Sequence, residues 1–271
     1  MGWASVSIIN PDGTNLINPS SINGGGFFGP VTLTAAGTYT ILVDPEGANT
    51  GSLTLHLYDV PPDASASITP GGPSVTLTVT TPGQNARFTF AGTAGQRISL
   101  GGGWSAGWAL ASIINPDGTN LINPSWGSGG IYLDVRTLPL DGTYTILINP
   151  ENGNTGNITL TLYDVPPDPV AAITPGGPSV TVTTTTPGQN ASLTFDGAAG
   201  QSVSINLGNG SVGWALVSVV KPDGTNLINP TWMIGGGSFN PVTLTAAGIY
   251  TIVINPENGN VGSMTVTINN L

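Results

Sequence analysis

One passage occurs three times in 271 residues, and no other feature of the chain constrains its fold as much. Trp3, Trp108 and Trp214 each open W-A-x-x-S, followed by P-D-G-T-N-L-I-N-P. The spacings are 105 and 106 residues, and Tyr39, Tyr144 and Tyr250 keep them. That period is too long for a solenoid unit and suits a whole domain. The second and third copies open on a segment (Ile68–Leu100 and Ile173–Ile205) that the first lacks. The expected organisation is a partial repeat over 1–62 and complete repeats over 63–167 and 168–271. The first is truncated on its N-terminal side, either as a natural half-domain or as the visible end of a full domain in a longer repeat protein.

Within each copy, apolar and polar residues alternate with period two, and no window has helical spacing. In the second copy the runs are Ser74–Thr81, Ala86–Ala91, Gln96–Leu100, Trp108–Ile114, Thr119–Asn123, Ile131–Leu138, Gly142–Asn149 and Asn157–Tyr163. Turn residues separate them: Pro82-Gly83, Pro116-Asp117-Gly118 and Asn152-Gly153. Proline presets φ there, and glycine accepts positive φ. Eight short strands per repeat predict an all-β fold: tandem antiparallel β-sandwiches of jelly-roll or Ig-like kind. Tyr144, Ile146 and Ile148 share one face, as do Ile158, Leu160 and Leu162, with threonines facing water. The joints Val60-Pro61-Pro62-Asp63 and Val165-Pro166-Pro167-Asp168 predict short, semi-rigid spacers. No Pro-Pro pair closes the third repeat, which ends like a natural C-terminus.

Composition narrows the function. Charged residues make up 7% of the chain, and 14 acids against 4 bases give a net charge of −10. Such a surface cannot neutralise a phosphate backbone, so nucleic acid is excluded as a partner. With no cysteine, disulfides and thiolate metal sites are excluded. No stretch reaches the roughly 20 apolar residues of a membrane-spanning helix. Met1-Gly2-Trp3 leads straight into a strand with no signal-peptide profile, which suits a mature, processed chain. An acidic, lysine-poor chain rich in Thr, Ser, Gly and Asn points to an extracellular or cell-surface location in a prokaryote. Asn157, Asn190 and Asn209 each head an N-x-S/T sequon.

The second repeat reads F-T-F-x-G-x-A-G-Q-x-I-S-L over 88–100, I-I-N-P-D-G-T-N-L over 113–121, L-D-G-T-Y-T-I-L-I-N-P over 140–150 and T-G-N-I-T-L-T-L-Y over 155–163. These motifs resemble the pre-peptidase C-terminal domain family, small β-sandwiches appended to secreted prokaryotic proteins. The resemblance covers repeats two and three end to end, and the first from its P-D-G hairpin onward. It implies an extracellular, non-catalytic accessory module.

Candidates for chemistry are few. His56 is the single histidine and takes an outward strand position, where the other repeats carry Thr161 and Thr267. A nucleophile–histidine pair could therefore exist in one repeat only, and no enzyme activity is expected. Asp12, Asp117 and Asp223 lie in P-D-G turns, and Glu46, Glu151 and Glu257 in P-E turns, positions that turn geometry favours by itself. No cofactor is expected. Calcium is the one ion these scattered acids could serve. The Gly24–Gly26, Gly101–Gly103 and Gly235–Gly237 clusters have no following lysine or helix and are not phosphate loops.

The segments 20–30, 125–135 and 231–241 diverge between copies while their flanks stay constant. They carry Phe27, Phe28, Trp126, Ile131, Tyr132, Trp232, Met233 and Phe239. Satellite core accounts for such residues equally well, but core positions should match between copies, so these eight are the candidate subunit contacts. The expected partner is the protein itself, in a filament or surface assembly, with a neighbouring subunit covering the incomplete first repeat. The alternative is a carbohydrate- or surface-binding accessory array, with Trp104, Trp126 and Trp232 stacking on a glycan.

Overall fold

The computed structural model describes residues 2–208 and 210–271, so the sequon at Asn209 lies outside the described residues. Repeat 1 contributes β1 (Trp3–Ile9), β2 (Asn15–Asn23) and β3 (Thr40–Pro45). Repeat 2 contributes β4 (Ala64–Ser67), β5 (Val75–Val79), β6 (Ala86–Gly92), β7 (Arg97–Ile114), β8 (Asn120–Thr137), β9 (Gly142–Pro150) and β10 (Gly156–Asp164). Repeat 3 contributes β11 (Val170–Ala172), β12 (Val180–Thr184), β13 (Ala191–Gly197), β14 (Ser202–Gly208), β15 (Trp214–Val220), β16 (Asn226–Ile234), β17 (Gly237–Thr243), β18 (Gly248–Pro256) and β19 (Gly262–Asn270). Among the described residues there is no helix.

Repeat 3 displays the sandwich most simply. One sheet has the order β11-β13-β18-β15-β16 and the other β12-β19-β14-β17. Inward residues alternate along the central strands. Leu193 and Phe195, Val203 and Ile205, Tyr250 and Ile252, and Val266 and Ile268 meet in one buried cluster. Pairing is antiparallel apart from one short parallel edge, β11 on β13, repeated as β4 on β6. This edge has no apolar run to announce it: Ala64-Ser65-Ala66-Ser67 carries only small side chains.

Repeat 2 has the same strands joined differently. The sequence predicts separate strands over Gln96–Leu100 and Trp108–Ile114, but β7 runs unbroken through both. Likewise β8 joins the expected Thr119–Asn123 and Ile131–Leu138 runs. Both long strands turn a corner from one sheet to the other, with a register shift between Gly103 and Trp108. Glycine makes the corner possible. A Cβ on Gly130 would lie 2.5 Å from the Gly102 carbonyl oxygen, and one on Gly127 2.7 Å from the Trp104 ring. Trp104 is buried beneath the corner, where its indole N–H donates to the Gly107 carbonyl at 2.9 Å.

The signature motifs prove to be mechanical. Tyr144 Oη donates to the Leu140 carbonyl at 2.8 Å and accepts from the Leu140 N–H at 3.1 Å. Tyr250 does the same at Ala246, and Tyr39 at Ala35. This phenol-to-backbone brace ties the strand to the corner before it. In each P-D-G turn the aspartate takes the hydroxyl of the threonine two residues on at 2.6 Å and its N–H at 2.9 Å. Those bonds, the threonine hydroxyl first, hold the Asp12, Asp117 and Asp223 carboxyls below the usual carboxylate value.

Repeat 1 is a single three-stranded sheet, β2-β1-β3, matching β16-β15-β18 of repeat 3. Ala4 and Val6 of β1 are buried, but the apolar residues of the non-strand segments that follow β2 and β3 are not. Leu33, Leu55 and Leu57 are 59%, 50% and 82% exposed, while their counterparts Leu138, Leu160 and Leu162 are buried. Ile41 is exposed where Ile146 is buried.

Candidate functional site

The eight candidate contact residues divide into three groups. Ile131 packs against the core of repeat 2, and Met233 and Phe239 belong to that of repeat 3. Phe28 is half-buried in repeat 1. Phe27 and Tyr132 sit at equivalent positions and meet the next repeat along the chain. A Cβ on Gly153 would lie 2.9 Å from the Phe27 ring, and one on Gly259 3.0 Å from the Tyr132 ring. Pro82 and Pro187 flank those two sockets. Trp126 and Trp232 remain exposed.

Other contacts accompany the aromatic knobs at the joints. Beside Tyr132, the Ser99 hydroxyl donates to the Pro187 carbonyl at 2.6 Å, and Arg97 reaches Asp168 at 2.7 Å. Gln84 and Gln189 donate to the carbonyls of Pro62 and Pro167, both at 2.8 Å, anchoring each Pro-Pro spacer. Tyr132 Oη is buried without a hydrogen-bond partner among the described residues. Burial, above all, pushes its phenol up to about 12. Across the joint, burial and then the Asp134 charge push the Glu257 carboxyl up.

The exposed tryptophans are paired. Ala109, Ala111 and Ile113 point into the core, so Trp108 and Leu110 point outward. Trp126 lies opposite Leu110 and Ser128 opposite Trp108, which sets the two indoles diagonally on the outer face of the β7–β8 edge. Their rings meet edge to face at 6.5 Å and 75°. In repeat 3, Trp214 and Trp232 repeat the arrangement at 6.1 Å and 79°. With Asn258, they line an open cleft of about 450 Å³.

Asn258 and its counterpart Asn152 both hold left-handed backbone, at φ 54° and 53°. Each precedes the glycine that receives the aromatic knob, so the joint helps fix the amide beside the indoles. Repeat 1 has Trp3 alone, with Ser21 and Gly47 at the other two positions.

Sequence reasoning placed Trp126 and Trp232 in exposed segments but treated Trp108 and Trp214 only as landmarks of the repeat. Their outward position could have been read from the alternation with the buried alanine that follows each. Trp104 is a corner plug and offers no face to a glycan. Its position beside three glycines resembles an exposed loop in sequence, and only the continuous β7 reveals its burial. His56 stacks on Tyr58 at 6.3 Å, both in repeat 1. Among the described residues no three His, Asp or Glu side chains gather as a metal site would need.

Fold and site together define a tandem β-sandwich array with surface tryptophan pairs. No family model matches the chain, and no curated protein matches it. Among solved structures, the chain is similar to the pre-peptidase C-terminal domain of a collagenase from Bacillus anthracis, a member of the family its motifs resemble. Identity is 11%, coverage is 39% of this chain and 99% of that one, and the TM-score is 0.30. It is also similar to an anti-sigma factor domain-containing protein from Clostridium clariflavum, at 12% identity, 100% and 95% coverage and a TM-score of 0.20. A third match is SGBP-B of a Bacteroides ovatus mixed-linkage glucan utilization locus, solved with a heptasaccharide, at 12% identity, 98% and 89% coverage and a TM-score of 0.18.

Proposed function

We propose that the chain is an extracellular, non-catalytic structural protein, a stiff rod of β-sandwich repeats that self-associates into a filament or surface assembly. A neighbouring copy covers the open face of repeat 1. One observation carries this reading. Residues that are fully buried in repeats 2 and 3 are exposed in repeat 1, foremost Leu33, Leu55 and Leu57. These leucines lie outside the strands, in segments 24–39 and 46–63, and burying such exposed apolar surface is worth about 25 cal/mol for each Å² removed from solvent.

The joints support a rod: each has an aromatic knob and a glutamine-anchored Pro-Pro spacer, and the second adds Ser99 and Arg97 bonds to the linker. They also direct association toward repeat 1. At the position of Phe27 and Tyr132, repeat 3 carries Ser238, too small to fill the same socket in another copy.

Sedimentation velocity of the full chain over a range of concentrations tests the proposal. The expected result is concentration-dependent association, lost in the double variant Leu55→Thr/Leu57→Thr. Threonine there replaces an exposed apolar side chain with a smaller, polar one and so removes apolar surface. A wild-type chain that stays monomeric at high concentration contradicts the proposal.

A further inference from the structure

The tryptophan pairs are not needed to build the sandwich. They stand on the outer face of an edge hairpin, each ring between 49% and 59% exposed, while the core is filled from the opposite face. Repeat 1 forms the same hairpin, β1 on β2, with Ser21 at the place of Trp126 and Trp232. The frame therefore tolerates loss of the second ring, yet both complete repeats carry it.

We propose that Trp108, Trp126 and Asn152, and likewise Trp214, Trp232 and Asn258, form two binding sites for a neutral polysaccharide chain. The inference does not depend on self-association. Three properties specify the ligand. The indole faces carry negative quadrupole charge and attract the weakly positive C–H face of a pyranose ring. The asparagine amide both donates and accepts, as a sugar hydroxyl requires, and its left-handed backbone is held in place by the knob-filled glycine beside it. A net charge of −10 with four basic residues disfavours an anionic polymer.

The shape of the cleft agrees. At about 450 Å³ it lies within the range of small-molecule sites, roughly 300–1,000 Å³. It is an open surface cleft rather than an enclosed cavity, which a polymer can reach without threading. Repeat 1, with Trp3 alone, has no such site, so the expected stoichiometry is two per chain.

Native affinity electrophoresis of the full chain through gels containing hydroxyethylcellulose, galactomannan or soluble starch tests this, paired with tryptophan fluorescence titration. The expected result is retardation by at least one of these polymers. Trp126→Ala and Trp232→Ala should each weaken it about tenfold, the loss of one good contact. The double variant should migrate as in a gel without polymer, and Trp3→Ala should match the wild type. Asn152→Ala/Asn258→Ala, which leaves every ring in place, should weaken binding while the circular dichroism spectrum is unchanged. Absence of retardation by all three polymers overturns the proposal, as does equal retardation of the double tryptophan variant. A fluorescence response to a proline-rich peptide but to none of the polymers would also overturn it, assigning the pairs to a protein ligand.

Discussion

At Tyr132 a polar atom works against the contact its ring makes. The ring fills the socket formed by Gly259 and Pro187, but its hydroxyl is buried with no partner, and the neighbouring Ser99 hydroxyl is committed to Pro187. The equivalent residue, Phe27, fills its socket with no hydroxyl at all. Tyr132→Phe should therefore stabilise repeats 2 and 3 by about 1 kcal/mol, the penalty of an unsatisfied buried group. Urea unfolding checks this, with Tyr132→Ala expected to destabilise. The raised phenol gives the pH dependence. Folding favours the protonated form, so this contribution is complete below the ordinary tyrosine value of 10.0 and is lost as pH rises toward about 12. Thermal melts should show an alkaline decline in the wild type that Tyr132→Phe lacks. The knob was not legible in sequence, because Phe27, Tyr132 and Ser238 share no chemistry that marks them as one position.

At the scale of elements, alternation identifies most strands, but not the small-residue edge β4, and does not show which strands are continuous. Gly101-Gly102-Gly103 has no side chains, so period two vanishes where β7 turns its corner. Glycine there looks like a loop and acts as a hinge between sheets. The backbone approach that glycine permits makes the corner testable. A Cβ on Gly130 would strike the Gly102 carbonyl, which cannot move without breaking the ladder, whereas one on Gly103 finds its nearest neighbour at 3.8 Å. Gly130→Ala should cost about 1–3 kcal/mol, as overpacking does. Gly103→Ala should stay within about 0.5 kcal/mol of wild type. Equilibrium urea unfolding of the two variants distinguishes them. The tyrosine braces and aspartate turns were legible as structural positions, since each recurs at fixed offsets beside proline or glycine; their hydrogen-bond partners needed the fold.

At the scale of the molecule, three copies of one sequence do different work. Repeats 2 and 3 are closed sandwiches that display tryptophan pairs. Repeat 1 offers a knob to repeat 2 through Phe27 and leaves its own apolar face open. The structure gives this difference in named residues: Leu33, Leu55 and Leu57 are exposed where their counterparts are buried. The central claim is that another copy covers those leucines, and amide hydrogen exchange over a range of protein concentrations measures the cover directly. The account predicts that peptides spanning 31–58 gain protection as concentration rises, while β6 and β13 stay equally protected throughout. Protection of 31–58 that is the same at every concentration would contradict it.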